Sequence, residues 1–293
     1  MSTHSEQREA EMSERLPIIK TYKLAIGGKF PRTESGRSTS VHDAAQNLVA
    51  HVCRASRKDL RDAVDAAHKA QPGWGDATAF LRSQVLYRLA EMMEGKRDEL
   101  AKAIGDDGQR EVDASIDRVV HYAGWCDKYA QVMGNANPVA GPYHNFTVPF
   151  PVGVVGVIAP DSPSLLGFVT LVAPVIAMGN ACVVLASETN PVPALVLAEA
   201  IATSDLPGGI VNTLSGFRDE LVEHFSTHRE IDAIHAAGVS DEHRAMLRTG
   251  SADNLKRVHV RGKVDFFDDE ACESPAWLDP FVEFKTIWHP SAV

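Results

Sequence analysis

From residue 153 onward, short apolar runs alternate with segments of helical periodicity. Strands that are separated by helices pair in parallel and are joined by right-handed crossovers, because each helix returns the chain across the sheet. The pattern therefore predicts an α/β fold built on a doubly wound, Rossmann-like parallel sheet. The predicted strands of this sheet are Val154–Ile158, Ala181–Leu185, Ile210–Leu214, Ile231–Ala236 and Arg257–Val260.

The residues before this sheet are predicted to be mainly helical. Ser56 and Asp59 have the form of a capping box, in which each side chain hydrogen-bonds the other residue's backbone amide, so a helix is expected to start there. Apolar residues recur at helical spacing in Leu81–Met93 and again in Ile116–Ala123. Two strand segments precede the helices, a hairpin at Lys23–Phe30 around Gly27-Gly28 and a strand at Asn47–Arg54.

Composition argues against several functional classes. With 39 acidic against 29 basic residues, the chain carries a formal charge of −10, which disfavours a nucleic-acid or membrane-surface partner. The longest apolar stretch, Leu165–Met178, is too short for a membrane span and contains Pro174, so it is predicted to be a buried helix. The N-terminal residues lack the apolar segment of a secretory signal, so a cytoplasmic protein is expected. The four cysteines show no metal-ligand spacing, so we expect buried free thiols and no metal site.

These patterns divide the chain into four parts. A flexible N-terminal tail is expected at residues 1–18 and the main domain at residues 19–264. Residues 265–277 are acidic and are predicted to form a loop. The final part, residues 278–293, contains the alternating run Phe281–Trp288, which is predicted to be a strand that pairs outside the main sheet.

A series of short motifs also follows in a fixed order along the chain. They include Tyr22–Gly28, Pro151–Ile158, Gly179-Asn180, Ser187-Glu188, Leu206–Gly208 and Leu255–Val258. Together they resemble the N-terminal and cofactor-binding parts of the aldehyde dehydrogenase superfamily. Phe284–Trp288 is similar to the family's C-terminal strand. The resemblance implies a chain that keeps both ends of the family fold without the catalytic domain between them, like the truncated, inactive second module of family 16 aldehyde dehydrogenases.

The resemblance further implies an oligomerisation flap. Residues 134–150 are similar to the segment that joins the C-terminal strand in the family's flap. An unpaired strand edge is a template for a strand of another chain. Phe284, Ile287 and Trp288 are expected to supply the apolar anchors of such an interface.

Several family contacts to the cofactor are changed. The family has a lysine before Pro-Ser-Glu, and by the resemblance this chain has Leu185 there, while Ser187 and Glu188 are kept. The family's glycine-rich segment is reduced to Ser215–Arg218 with Gly216 retained, and Gly238 is a further residual contact. Close approach of the backbone to a pyrophosphate needs small residues. We therefore expect no bound cofactor and at most weak binding of NAD.

The catalytic positions implied by the resemblance are degenerate. Ser162 replaces the family asparagine whose amide helps to form the oxyanion hole. Arg261 stands in place of the general-base glutamate, and a guanidinium group has no lone pair with which to accept a proton. Cys272 lies in an acidic segment whose carboxylates should raise the pKa of its thiol, so it is not expected to be the nucleophile.

The sequence thus predicts a non-catalytic aldehyde dehydrogenase homologue. Its expected role is that of a structural or regulatory subunit that assembles with itself or with an active, full-length, NAD-dependent aldehyde dehydrogenase. Two alternatives stay open. One is an active NAD(P)-dependent aldehyde dehydrogenase that uses unorthodox residues such as Cys272. The other is a nucleotide-binding sensor that retains Glu188, Gly216 and Gly238.

Overall fold

The computed structural model describes residues 18–43 and 45–291. The flexible tail predicted at residues 1–18 therefore lies outside the described residues, apart from Ile18. Over the part of the chain that the structure describes, none of the helices combines the length and the apolar character of a membrane span.

A small three-stranded sheet opens the described chain. Its central strand, β3, pairs parallel with β1 and antiparallel with β2. The predicted hairpin is confirmed, because Ile26 and Lys29 pair across Gly27 and Gly28. Both glycines have positive φ, 61° and 74°, as a tight two-residue turn requires. The strands are β1 (Thr21–Tyr22), β2 (Ser38–His42) and β3 (Leu48–Cys53).

Helices follow β3, as predicted. The first begins with the predicted capping box, in which the Ser56 hydroxyl accepts from the amide of Asp59 and the Asp59 carboxylate accepts from the amide of Ser56. This helix packs against strands of the main sheet, and the third and fourth helices pack against each other. The helices are α1 (Arg57–Gly75), α2 (Ala79–Gly95), α3 (Arg97–Ile104), α4 (Gly108–Ala123) and α5 (Lys128–Met133).

Two strands outside the main sheet come next, β4 (Asn135–Ala136) and β5 (Tyr143–Pro151). The parallel sheet follows and contains β6 (Val154–Ile158), β7 (Ala181–Leu185), β8 (Val211–Leu214), β9 (Ala233–Ala236) and β10 (Arg257–Val260). Its order is β10-β9-β6-β7-β8 with every neighbouring pair parallel, which confirms the predicted doubly wound sheet. The connecting helices are α6 (Leu166–Ala177), α7 (Val192–Ile201), α8 (Arg218–Thr227) and α9 (Asp241–Gly250).

The longest apolar stretch forms α6, and every residue of this helix is buried. The prediction of a buried helix at this place is confirmed. α6 packs against α4 and the sheet. The carboxylate of Glu111 on α4 accepts from the amides of Leu165, at 2.6 Å, and Leu166, at 3.1 Å, and so satisfies donors at the start of α6.

The acidic segment at residues 265–277 is not the loop that was predicted. It contains α10 (Asp269–Cys272) and a 3₁₀ turn at Pro275–Trp277. The prediction was wrong because it weighed the carboxylates and overlooked the apolar residues between them. Phe266, Cys272 and Trp277 are all buried.

The last strand, β11 (Val282–Pro290), pairs antiparallel with β5 over its whole length. The second sheet has the order β11-β5-β4, so the prediction of a C-terminal strand outside the main sheet is confirmed. We call these three strands the flap. Residues 135–136 and 143–151 supply two of its strands, and the role of the segment 134–150 in oligomerisation stays a prediction.

Asn180 joins the flap to the main sheet. Its side chain is completely buried between α6 and β7. Oδ1 accepts from the amides of Val152, at 2.8 Å, and Gly153, at 3.0 Å, where β5 leads into β6. Nδ2 donates to the carbonyls of Val175, at 3.0 Å, and Phe281, at 2.9 Å, the residue before β11. One side chain therefore bonds backbone groups next to β5 and β11, the two long strands of the flap, and a carbonyl of α6.

Replacing Asn180 by alanine should destabilise the protein strongly. The change leaves several buried backbone groups without partners, and each costs about 1–3 kcal/mol, so we expect a loss of at least about 3 kcal/mol. The measurement is the free energy of unfolding from urea titration. Asn47→Ala is the matched control, because Asn47 is an exposed residue whose amide bonds only Asp43. Equal losses in the two variants would contradict the assigned role.

Candidate functional site

The carboxyl ends of the parallel strands form the candidate site. In doubly wound sheets a ligand lies outside these ends, at the point where neighbouring crossovers leave in opposite directions. Here the chain runs from β6 to β7 and β8 on one side and then to β9 and β10 on the other, so that point lies between β6 and β9. We call the space outside the carboxyl ends of β6, β7, β8 and β9 the crevice.

An ion pair between a buried guanidinium group and a partly exposed carboxylate lies in the crevice. Arg218 is the first residue of α8, and its side chain is only 9% exposed. Its Nη1 donates to Oδ2 of Asp161 at 2.5 Å, and its Nη2 donates to Oδ1 of Asp161 at 3.0 Å. Nη2 also donates to the carbonyl of Ala159 at 2.8 Å. A bidentate pair of arginine and carboxylate is among the strongest hydrogen-bonded arrangements of charged side chains.

Ser187 and Glu188, which were predicted to contact a cofactor, lie beside this ion pair. Both form hydrogen bonds with other residues of the chain. Oδ1 of Asp161 accepts from the amide of Glu188 at 2.8 Å. The Glu188 carboxylate accepts from the amide of Arg218 at 2.8 Å, at the N-terminus of α8. The Ser187 hydroxyl accepts from the amide of Asn190 at 3.0 Å. The loops after β6, β7 and β8 are therefore held together by side chains.

The retained glycines serve close packing between parts of the chain. Gly238, after β9, has a φ of 64°, and a Cβ atom placed on it would lie 3.0 Å from Cβ of Pro160. A Cβ atom on Gly216 would lie 3.2 Å from Cδ1 of Leu221. Gly238 thus allows the loop after β9 to lie directly against the loop after β6.

These residues do not fit a bound dinucleotide. In this fold a pyrophosphate lies against the N-terminus of a helix and accepts from its free amides. Here the first amide of α8 is bonded by the Glu188 carboxylate, and the guanidinium group of Arg218 is bonded by Asp161. Two carboxylates of the chain therefore already accept from the donors that a phosphate at the N-terminus of α8 would need.

Arg261 lies at the end of β10, away from the ion pair. Its Nε donates to Nε2 of His235 at 3.0 Å, and its guanidinium carbon lies 4.0 Å from the centre of the Trp277 ring. Burial, together with the charge of Arg261, lowers the pKa of His235 well below its usual value, so the ring is neutral and its Nδ1 donates to the carbonyl of Leu171. A guanidinium group that donates to a neutral imidazole cannot serve as a general base.

Cys272 is buried, as was expected of the four thiols, but it lies on α10 and not in the predicted loop. Burial is the largest cause that raises the pKa of its thiol, Asp268 and Asp265 raise it further, and Arg118 opposes them. The expected direction is therefore correct, but burial is the main cause. Its sulfur lies 3.4 Å from the carbonyl of Asp265. A buried, protonated thiol is a poor nucleophile.

Arg118 was missed by the sequence analysis. It is completely buried on α4, and it donates to the Thr170 hydroxyl at 2.7 Å, to the Phe266 carbonyl at 3.1 Å and to Asp269 at 2.9 Å. It therefore anchors the segment that contains Cys272. The signal was available in the sequence as a polar stripe at helical spacing on the buried face of α4, formed by Glu111, Ser115, Arg118 and Tyr122.

The remaining sequence predictions concern Ser162, a metal site and the cysteines. Ser162 is exposed in the loop after β6. Among the described residues no group of three or more histidine, cysteine or carboxylate side chains is arranged to hold a metal ion. The four cysteines are free and buried.

The three predicted interface residues lie on two faces of the flap. Successive side chains of a strand point to opposite faces, so Phe284 and Trp288 share one face and Ile287 lies on the other. Phe284 stacks on Tyr129 with ring centres 6.4 Å apart, and Trp288 meets Tyr143 edge-on at 5.8 Å. The three side chains remain 48%, 58% and 39% exposed in the order Phe284, Trp288, Ile287.

Comparison with known proteins agrees with this architecture. The profile of the aldehyde dehydrogenase family matches residues 30–262. The chain belongs to the aldehyde dehydrogenase family. The mitochondrial benzaldehyde dehydrogenase of Antirrhinum majus is 31% identical over 281 residues, which are 91% of this chain and 51% of that protein. The mitochondrial aldehyde dehydrogenase family 2 member B4 of Arabidopsis thaliana is 31% identical over 277 residues, 89% of this chain and 51% of that protein.

Solved structures of this family have the same fold. An aldehyde dehydrogenase from Bacillus cereus, solved as a complex with NAD⁺, superimposes with a TM-score of 0.77 at 28% identity and covers 87% of this chain and 52% of its own. The chain spans about half the length of the curated relatives it matches.

The Asp161 carboxyl should make stability depend on pH. Burial raises its pKa, but the hydrogen bonds and charge of Arg218, with the amides of Glu188 and Thr189, outweigh burial and hold the pKa below its usual value. A carboxyl whose folded pKa is lowered stabilises the fold fully above its unfolded value, about 3.9, and this stabilisation is lost as the pH falls through the folded pKa.

We therefore expect the difference in urea midpoint between the native chain and Asp161→Asn to be largest near pH 6 and to shrink below about pH 4. The control is Glu230→Gln, which changes an exposed carboxyl outside the crevice. A difference for Asp161→Asn that stays constant over this range would contradict the assigned ion pair.

The native chain should not react with iodoacetamide at neutral pH, because all four thiols are buried. Mass spectrometry should detect complete alkylation only after unfolding in urea. Glu91→Cys, which places a thiol on the exposed face of α2, should add one alkylation under native conditions. Rapid native labelling of Cys272 would restore it as a candidate nucleophile.

Proposed function

We propose that this aldehyde dehydrogenase homologue is a non-catalytic subunit that docks through its flap onto an active, full-length subunit of the same family. Its role is structural or regulatory. The proposal has two parts, the loss of catalysis and the retention of a docking surface.

The loss of catalysis is supported by the residues at the family's catalytic positions. Arg261 is engaged with His235 and Trp277 and offers no base. Cys272 is buried in a segment that Arg118 anchors to α4. The exposed Ser162 hydroxyl replaces the amide of the oxyanion hole. An aldehyde oxidation that proceeds through a thiohemiacetal needs an accessible thiolate, a base and an oxyanion donor together.

The main support for docking is the position of β11 at the edge of its sheet. Within the described residues this nine-residue strand has a strand neighbour on one side only. An open strand edge of this length can pair with a strand of another chain. Phe284 and Trp288 on one face and Ile287 on the other add exposed apolar surface of the kind that dominates interface energies.

A full-length family subunit is the proposed companion. This chain aligns with only about half of each of its first relatives, and a full-length subunit also contains the other half. The residues between Val260 and Val282 form a connection between β10 and β11 that contains one short helix and two 3₁₀ turns. In this proposal the companion supplies the catalytic domain.

Co-expression of a tagged form of this chain with a full-length aldehyde dehydrogenase subunit tests the proposal. We expect the two chains to co-elute in size-exclusion chromatography. Trp288→Asp and Ile287→Asp should each abolish co-elution, because each buries a charge on one face of the interface. The matched control is Val49→Asp, which changes an exposed strand residue of the N-terminal sheet and should leave co-elution intact.

The isolated chain should form no NADH or NADPH from aldehydes, while the purified companion supplies the positive control. Elution of this chain apart from the companion would contradict the docking proposal. Aldehyde oxidation by the isolated chain that Cys272→Ala abolishes would contradict the loss of catalysis.

A further inference from the structure

We propose that the Arg218–Asp161 ion pair permanently fills the crevice in which a fold of this type holds a dinucleotide. The chain then excludes nucleotides from this place and needs none to order the edge of its sheet. This inference concerns the crevice alone and does not depend on what binds the flap.

The first argument is that the groups able to bind an anion are already bonded. The guanidinium group of Arg218 donates to both oxygens of Asp161 and to the carbonyl of Ala159. The backbone amide of Arg218 donates to Glu188, and the amide of Glu188 donates to Asp161. A phosphate that entered here would have to displace carboxylates of the chain from these donors.

The second argument is charge. Asp161 and Glu188 bring two carboxylates to the N-terminus of α8, where the helix dipole favours an anion. One guanidinium group, that of Arg218, lies between them. A pyrophosphate would add further negative charge beside the two carboxylates, and only the single positive charge of Arg218 lies between them to offset it.

The third argument is space. The loop after β9 lies directly against the loop after β6, since a Cβ atom on Gly238 would lie 3.0 Å from Cβ of Pro160. The side chain of Arg218 is 9% exposed and spans from α8 to the loop after β6. The side chain of Arg218 is therefore bonded to the loop after β6, against which the loop after β9 packs.

Calorimetric titration with NAD tests the proposal on the intact chain. The native chain should bind NAD more weakly than about 1 mM, if at all. The double variant Asp161→Asn, Arg218→Gly removes the guanidinium group without leaving an unpaired buried carboxylate. It should bind NAD at least about tenfold more tightly than the native chain, and NAD should raise its thermal midpoint.

Arg218→Ser is a second variant, because the Asp161 carboxylate keeps the amides of Glu188 and Thr189 as donors. It should show the same gain in NAD binding. The control is Arg88→Ala, Glu91→Ala, which removes an exposed pair of opposite charges on α2 and should bind NAD as weakly as the native chain. Circular dichroism establishes that each variant is folded.

Binding of NAD by the native chain with micromolar affinity would overturn the proposal. A folded variant without Arg218 that gains no affinity would also overturn it, because the ion pair would then not be what excludes the nucleotide. A gain in the Arg88→Ala, Glu91→Ala control equal to that of the Arg218 variants would show that the effect is not specific to the crevice and would likewise count against it.

Discussion

The buried amide of Asn180 is the contact on which the arrangement of the two sheets depends. The junction between β5 and β6 and the start of β11 both bring backbone groups into the core, where unbonded polar groups are costly. Asn180 is completely buried and bonds donors of Val152 and Gly153 and the carbonyl of Phe281 with one planar group. The flap is therefore tied to the parallel sheet at both of its long strands. A docking surface formed by the flap is therefore held in a fixed position relative to the parallel sheet.

Two buried arginines tie together parts of the chain that are distant in the sequence. Arg218 ties the loops after β6 and β7 to α8, and Arg118 ties the segment before β11 to α4. A buried guanidinium group must be paired, and in both cases the partner is a carboxylate of this chain, Asp161 or Asp269. The fold of the family is kept, and both guanidinium groups are bonded within the chain.

Much of the fold followed from local sequence patterns. The strands of the main sheet, the capping box at Ser56 and the buried helix after Leu165 were predicted because periodicity and capping are properties of neighbouring residues. The segment at residues 265–277 was predicted wrongly, because its acidic residues dominate the pattern while its buried partner, Arg118, lies far away in the chain. Ser187 and Glu188 were predicted as cofactor contacts, and in the structure they lie beside the crevice with residues of the chain as their hydrogen-bond partners.

By itself, the sequence determined the order and type of most helices and strands, the family and the residue types at the catalytic positions. Each of these follows from patterns among residues that are close in the sequence. Only the tertiary structure decided that Arg218 pairs with Asp161 in the crevice, that Arg118 anchors the segment around Cys272, and that β11 pairs with β5. The physical reason is that ion pairing, burial and strand register depend on groups that are distant in the sequence and meet only when the sheets and helices pack.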